Sequence, residues 1–369
     1  HGHLMLLHPS TTTEARKTTP ANVRGRGAAT NTPNRFDPFH IEPDTVEPDE
    51  EDFERRQPAQ YFDDASRSIL TSNDSPDVGF TYSINPYRGC SHGCIYCYAR
   101  PTHEYLGFSA GLDFETKILV KQDAPDLLRE TFRKKSWEPQ VVALSGNTDC
   151  YQPVEKRLEI TRQCLEVFLE FRNPVTMITK NQLVTRDIDL LQRLAEHDLV
   201  HVTLSVTSLR PALTGVLEPR TSRPKQRLAA ISALAGAGVP VGINVAPLIP
   251  GLNDEEVPNI LEAAAKAGAQ WANYIMVRLP GAVRPLFLEW LERHMPDRAS
   301  KIQSRLKKVR DGELSDPRFE SRMRGEGELA DLISRFFTLA RRRHGLEGFQ
   351  HELATHHFRR RDHLQLELF

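Results

Sequence analysis

From Gly79 onward the chain alternates short β-branched runs with longer segments whose apolar residues recur three and four apart. The runs at 81–85, 141–144, 175–179, 199–206, 239–246 and 271–277 read as buried strands. The segments at 126–135, 155–172, 186–197, 225–235, 254–267 and 284–294 read as amphipathic helices. Strand and helix in alternation predict an α/β fold with a parallel sheet and crossover helices. Six units rather than eight predict a partial, TIM-like (β/α)6 barrel over residues 79–296. Asn253-Asp-Glu-Glu256 has a capping side chain and first-turn acids, and predicts a helix start. Residues 1–78 lack the periodicity and are rich in Pro, Thr, Asn, Asp and Glu, so they predict a largely irregular N-terminal arm. Within it, Arg24-Gly-Arg-Gly-Ala28 and Asn34-Arg-Phe36 are the part expected to pack on the body, and the acidic run 47–54 reads as a solvated face. Residues 297–369 turn helical and basic, with Arg305-Leu-Lys-Lys-Val-Arg310, Arg341-Arg-Arg343 and Arg359-Arg-Arg361, and predict an extension covering the barrel's side or mouth.

Composition narrows the classes. The 369 residues are 39% hydrophobic, enough for one large core with appendages, and the net charge of −1 gives no case for non-specific nucleic-acid binding. Five cysteines, three of them in one short loop, argue against a disulfide framework and for a reducing cytosol, so a cytoplasmic protein is expected. His1-Gly-His-Leu-Met-Leu-Leu-His8 has too short an apolar run for a signal peptide and reads as an expression remnant joined to a natural start near Met5. The stretch 228–253 carries no charge, but Pro240, Pro247 and Pro250 break it, so no membrane span is expected.

The densest chemistry lies in Asn85-Pro-Tyr-Arg-Gly-Cys-Ser-His-Gly-Cys-Ile-Tyr-Cys-Tyr98, where Cys90, Cys94 and Cys97 are spaced by three residues and then two. Structural zinc and all-cysteine iron–sulfur centres normally take four protein ligands. Three leave a corner open for a small molecule. Soft thiolates suit either metal, and a zinc knuckle with His92 or His103 as fourth ligand stays open on spacing alone. Gly89 and Gly93 let the backbone turn tightly around a metal group.

Cys-x3-Cys-x2-Cys with Tyr96 before the last cysteine resembles the signature of the radical S-adenosylmethionine (SAM) enzymes. The longer run, with Asn85-Pro-Tyr-Arg-Gly ahead and Tyr98-Ala-Arg100 behind, is similar to the branch related to spore photoproduct lyase, a DNA-photolesion repair enzyme. The resemblance spans roughly residues 80–295. It implies a [4Fe–4S] cluster on the three cysteines and SAM chelating the fourth iron. It also implies a one-electron reductant of flavodoxin or ferredoxin type, and a 5′-deoxyadenosyl radical that takes hydrogen from substrate.

In parallel barrels, function gathers where the strands end. Ser145, Gly146, Asn147 and Asp149 follow the second strand and are expected to meet the methionine amino group, or else form an ordinary turn. Lys180 ends the third strand, Ser205 the fourth, and Arg220 follows as a fork for a carboxylate. Asn244 and the turn at Ile249 resemble the family's adenine-contacting stretch, and Tyr96 is a candidate for stacking or for shielding. Cys150 is a candidate hydrogen donor, displaced by about one turn from the cysteine of the lyases; otherwise it is a structural thiol. The terminal Gln365-Leu-Glu-Leu-Phe369 resembles a sliding-clamp peptide, with Leu366, Leu368 and Phe369 filling apolar pockets and Gln365 at the rim. Three functions remain: DNA repair or nucleic-acid modification, radical chemistry on a small metabolite or protein side chain, and a non-catalytic, metal-stabilised, clamp-tethered scaffold.

Overall fold

The computed structural model describes residues 23–36, 57–348 and 352–360. The strands are β1 (Gln60–Asp63), β2 (Leu70–Ser72), β3 (Tyr82–Ile84), β4 (Tyr87–Arg88), β5 (Lys117–Val120), β6 (Val142–Leu144), β7 (Val175–Thr179), β8 (Val200–Ser205), β9 (Val241–Leu248) and β10 (Ala272–Met276). Six of them, in the order β3-β6-β7-β8-β9-β10, run parallel and are the six read from the sequence. Their buried side chains meet the crossover helices in one core, which includes Val142, Met177, Val202, Ile243 and Met276.

Within the arm two short strands join the sheets. β2 extends the sheet antiparallel to β3, and β1 pairs parallel with β5 in a small sheet that also holds β4. The side chains of β1 are exposed, so the strand leaves no apolar period in the sequence. Residues 23–36 pack on the body, as that part of the arm was expected to do.

One predicted helix is broken. Glu159 has φ of 55° and separates Glu155–Leu158 from Ile160–Phe171. The buried Glu155 carboxylate takes the Thr161 N–H at 3.0 Å, so the second helix starts afresh. Asn253 does not cap a helix. Its side chain accepts from Ile249 N at 2.7 Å and donates to Thr207 O and Pro247 O, tying the turn after β9 to the end of β8. A buried amide finds more partners there than at a helix start.

The C-terminal extension covers three places. Helix Pro296–Lys308 lies on helix Val283–His294 near the turn after β9. Helix Glu328–Arg343 packs on helix Val257–Lys266. Residues 352–360 reach the opposite end of the barrel, where Ala354 N meets Asp198 O and Phe358 packs on Phe132 and Phe171. Between the first two helices, Arg310 and Arg324 bind the carbonyls of Val277 and Tyr274 at β10, while Arg322 pairs with Asp77 before β3. This strap bridges the gap between the first and last parallel strands. Among the described residues no helix is long and apolar enough to cross a membrane.

Candidate metal and cofactor site

The loop carrying Cys90, Cys94 and Cys97 leaves the first parallel strand at its C-terminal end and is braced from both sides. Tyr87 donates to the buried Glu155 carboxylate at 2.5 Å, and Arg88 pairs with Asp64 at 2.8 Å. Gly89 and Gly93 hold φ of 76° and 68°, conformations that side chains rarely tolerate. Inside the loop, Gln152 accepts from Ser91 N at 3.0 Å and donates to Gly89 O at 3.2 Å. The fully buried Arg100 donates to Cys94 O at 3.0 Å and pairs with the fully buried Glu115 at 2.5 Å.

Burial raises the pKa of all three thiols; neighbouring charge adds to this for Cys90, mainly from Asp149, and for Cys94, mainly from Glu218. Cys97 also raises the other two. Three soft donors, two buried and one half-buried, that resist ionising alone are suited to a cationic metal group, whose binding expels their protons. Among the described residues no three His, Cys, Asp or Glu side chains converge on a single-ion site. Three soft donors on one short loop fit an iron–sulfur cluster with one corner left open. Of the two histidines considered for zinc, His92 is committed elsewhere, whereas both ring nitrogens of His103 are buried without a hydrogen-bond partner. Asn181 Nδ2 donates to His92 Nε2 at 3.2 Å, which turns Nδ1–H to Asp149 at 3.3 Å. His103 is buried against Phe108 and Phe114, and burial pushes its pKa down to about 4.

The other strand ends converge on this loop. Ser145 adopts φ of 77° and accepts from Cys150 N; Gly146 O accepts from Tyr98 OH at 2.9 Å; Asn147 N is held by Asn85 at 2.8 Å. A Cβ on Gly146 would stand 2.6 Å from Ser83, so only glycine lets the two strand ends touch. Asp149 is spent inside the protein, accepting from Tyr151 N, Thr179 Oγ1, Lys180 N and His92. Burial opposes its charge, yet His92 and the two β7 donors outweigh burial and hold the pKa at about 2, against 3.8 ordinarily. A depressed carboxyl stabilises the fold above its unfolded pKa and loses that effect as pH falls through the folded value. Asp149→Asn is therefore expected to cost roughly 2 kcal/mol at pH 7. The deficit against wild type should shrink as pH falls from about 4 to 2. Urea unfolding at pH 7 and pH 3 checks this, and equal deficits at both would refute it.

Lys180 lies with its ammonium 5.8 Å from the Tyr96 ring and acts electrostatically on Cys94, Cys97 and Glu218. Tyr96 is buried and gives its hydroxyl to Glu218, which also receives Thr207 and Arg227. Ser205 and Asn244 are buried side by side in the β8–β9 register. Ile249 is buried in the apolar cluster that holds Cys94, Ile95 and Tyr96. Arg220 is tied to the loop through its backbone, N to His92 O at 3.2 Å, while the residue itself is exposed. Cys150 is fully buried in the main core with Cys164, and burial pushes its pKa up, which keeps the thiol protonated. Residues 361–369, with Gln365, Leu366, Leu368 and Phe369, lie outside the described residues. Sequence reasoning missed Arg100, Glu115, Gln152 and Arg227. Arg227 and Glu115 each lie among other charged residues, so nothing in the local sequence marks them out.

Comparison with known proteins agrees with this geometry. A family model described as the radical SAM superfamily matches residues 84–264. An uncharacterised protein of Mycobacterium tuberculosis strain H37Rv is 36% identical over 259 residues, covering 70% of this chain and 75% of that protein. One of Methanocaldococcus jannaschii is 29% identical over 184 residues, covering 50% and 66%. Among solved structures, a spore photoproduct lyase point mutant aligns at 18% identity with a TM-score of 0.58, over 79% of this chain and 82% of that one, a likeness of fold. Another mutant of that lyase aligns over 64% of this chain and 66% of its own, just under two thirds, with a TM-score of 0.48. With a cysteine triad at the mouth of six parallel strands and these relatives beside it, the chain belongs to the radical SAM superfamily.

Proposed function

We propose that this protein is a radical SAM enzyme that binds a [4Fe–4S] cluster through Cys90, Cys94 and Cys97 and cleaves SAM reductively. The observation that carries the reading is the cysteine triad, two thiols buried and one half-buried, on a loop braced by Gln152 and Arg100. When bound, cluster and SAM together supply a one-electron route to hydrogen abstraction from substrate. The protein supplies position and dryness. Lys180 places a positive charge beside Cys94 and Cys97, where it favours the anionic sulfurs and a ligand carboxylate. Ser145, Gly146 and Asn147 line the second strand end. Ser205, Asn244 and Ile249 form a polar edge and an apolar shelf across from them. Tyr96 closes the mouth beside the loop, and Arg220 offers a guanidinium at its rim. Asp149 serves this site by holding β7 and His92 in place rather than by meeting ligand.

For substrate, the favoured reading is a damaged or modified nucleic acid, supported by the motif around Cys90 and by the lyase-like fold. A second reading, a small metabolite or protein side chain, is favoured by the basic clusters. They do not share a face: Arg305 pairs with Asp254, Arg310 is buried on carbonyls, and Arg359 and Arg360 bind Glu170 O and Trp137 O. Partners in this reading are a flavodoxin- or ferredoxin-like reductant and, through 365–369, a sliding clamp. Anaerobic incubation of reconstituted protein with SAM, dithionite and ultraviolet-damaged DNA tests it. The expected result is 5′-deoxyadenosine together with loss of lesion. Nucleoside product without lesion loss would move the substrate to the second reading, and no nucleoside product would overturn the enzyme.

A further inference from the structure

Residues 23–36 lie outside the stretch matched to the family, yet they touch the loop that carries its chemistry. Arg26 is buried and donates to Glu115 O and Gln57 O, both at 2.6 Å. Gly27 N and Ala28 N both donate to the Glu115 carboxylate, at 3.0 and 2.8 Å. The same carboxylate receives Arg100, whose Nε binds Cys94 O. Gly27 sits so close that a Cβ there would stand 2.0 Å from Gly93 O, and a Cβ on Gly93 would stand 2.5 Å from Glu115 Oε2. Ala28 is buried in the apolar cluster that holds Cys94, Ile95 and Tyr96. Further along, Thr30 O accepts from Leu112 N, Thr32 O from Ser109 Oγ, and Asn34 donates to Glu104 O and Phe108 O. The segment is thus fixed along its length, with its tightest contact on the backbone between the first two thiols.

Resting on the functional reading above, we infer that residues Arg26–Asn34 are a wall of the cluster compartment, supplied from outside the family domain and locked to it by Glu115. The wall holds the Gly93–Ile95 backbone in place and seals that side from solvent. Glu115 is a positioning residue. It touches no thiol, and it joins the wall to the loop through three donors. Groups that orient metal ligands from behind commonly change metal retention about 10–100-fold when replaced.

The experiment uses the full chain, reconstituted with iron and sulfide and held without oxygen. Iron release to a ferrous chelator is followed, together with the electron paramagnetic resonance spectrum of the reduced protein. Gly27→Val, whose side chain cannot fit against backbone, is expected to release iron about 10-fold faster with an altered spectrum. Glu115→Gln, which keeps the shape and removes the charge, is expected to move in the same direction and decides the matter if the first variant does not fold. Arg35→Ala, which lies just past the wall and breaks an ion pair with Glu104 and ring contacts with Phe36 and Tyr105, is expected to match wild type. Wild-type release and spectrum in both Gly27→Val and Glu115→Gln overturn this inference alone. A wild-type protein that takes up no iron overturns the functional reading and the wall together.

Discussion

Alanine at any one of Cys90, Cys94 or Cys97 is expected to bring 5′-deoxyadenosine down to the level of a protein-free control. A cluster held by three sulfurs has no redundancy, because its fourth corner is reserved for a ligand. His92 has both ring nitrogens engaged, His103 is packed among aromatic rings, and Cys150 and Cys164 are fully buried in the main core. Iron and sulfide per chain should fall with the activity, while far-ultraviolet circular dichroism holds, because the barrel core does not include the triad. Cys164→Ala is the matched control. It removes a buried thiol of the same size and should cost only a modest amount of stability, about 1–2 kcal/mol, with iron and product unchanged. Wild-type product from Cys94→Ala would remove the open-corner cluster from the account.

The parallel strands were legible because they are buried on both faces, which writes them as continuous β-branched runs. β1 was not, since its exposed side chains carry no period and its partner β5 lies more than fifty residues on. The break at Glu159 was hidden because helical periodicity continues across it; only the burial of Glu155 by Tyr87, Arg186 and Thr161 reveals it. In the site, the cysteines stood out because their chemistry is local to one loop. Asp149 was visible as a polar residue at a strand end, but its role depends on β7 and His92, which no spacing places beside it. Glu115 was invisible for the same reason, since its donors Gly27 and Ala28 are almost ninety residues away. A charged residue in a buried segment is a signal that something must pair with it, while the identity of the partner is a tertiary fact.

The strongest effect on stability is expected from Arg227→Met. Arg227 and Glu218 are both fully buried and ion-paired. Arg227 also donates to Ser222 O, Ser205 O and Thr221 Oγ1, so its guanidinium is satisfied throughout. Removing one partner of a buried pair leaves an uncompensated charge and typically costs about 3–5 kcal/mol. Burial by itself would raise the Glu218 pKa; in the wild type, Arg227 first and Lys180 second outweigh it and hold the value below 4.5. Wild-type Glu218 therefore stabilises the fold above its unfolded pKa and loses that contribution as pH falls through the folded one. Without Arg227 the burial effect dominates, the folded pKa rises, and the sign inverts: protonation now relieves the fold. The deficit of Arg227→Met against wild type should be largest near neutral pH and smaller near pH 5. Adding Glu218→Gln should recover part of it, because a neutral amide needs no counter-ion. Denaturant midpoints for the two single variants and the double variant, at both pH values, check the cycle. A single-variant loss below about 1 kcal/mol would show that the pair is not the anchor proposed. The effect should also reach the metal loop. Tyr96 gives its hydroxyl to Glu218 from between Cys94 and Cys97, so a carboxyl that swings away loosens a tie between that part of the loop and Thr207, just past β8.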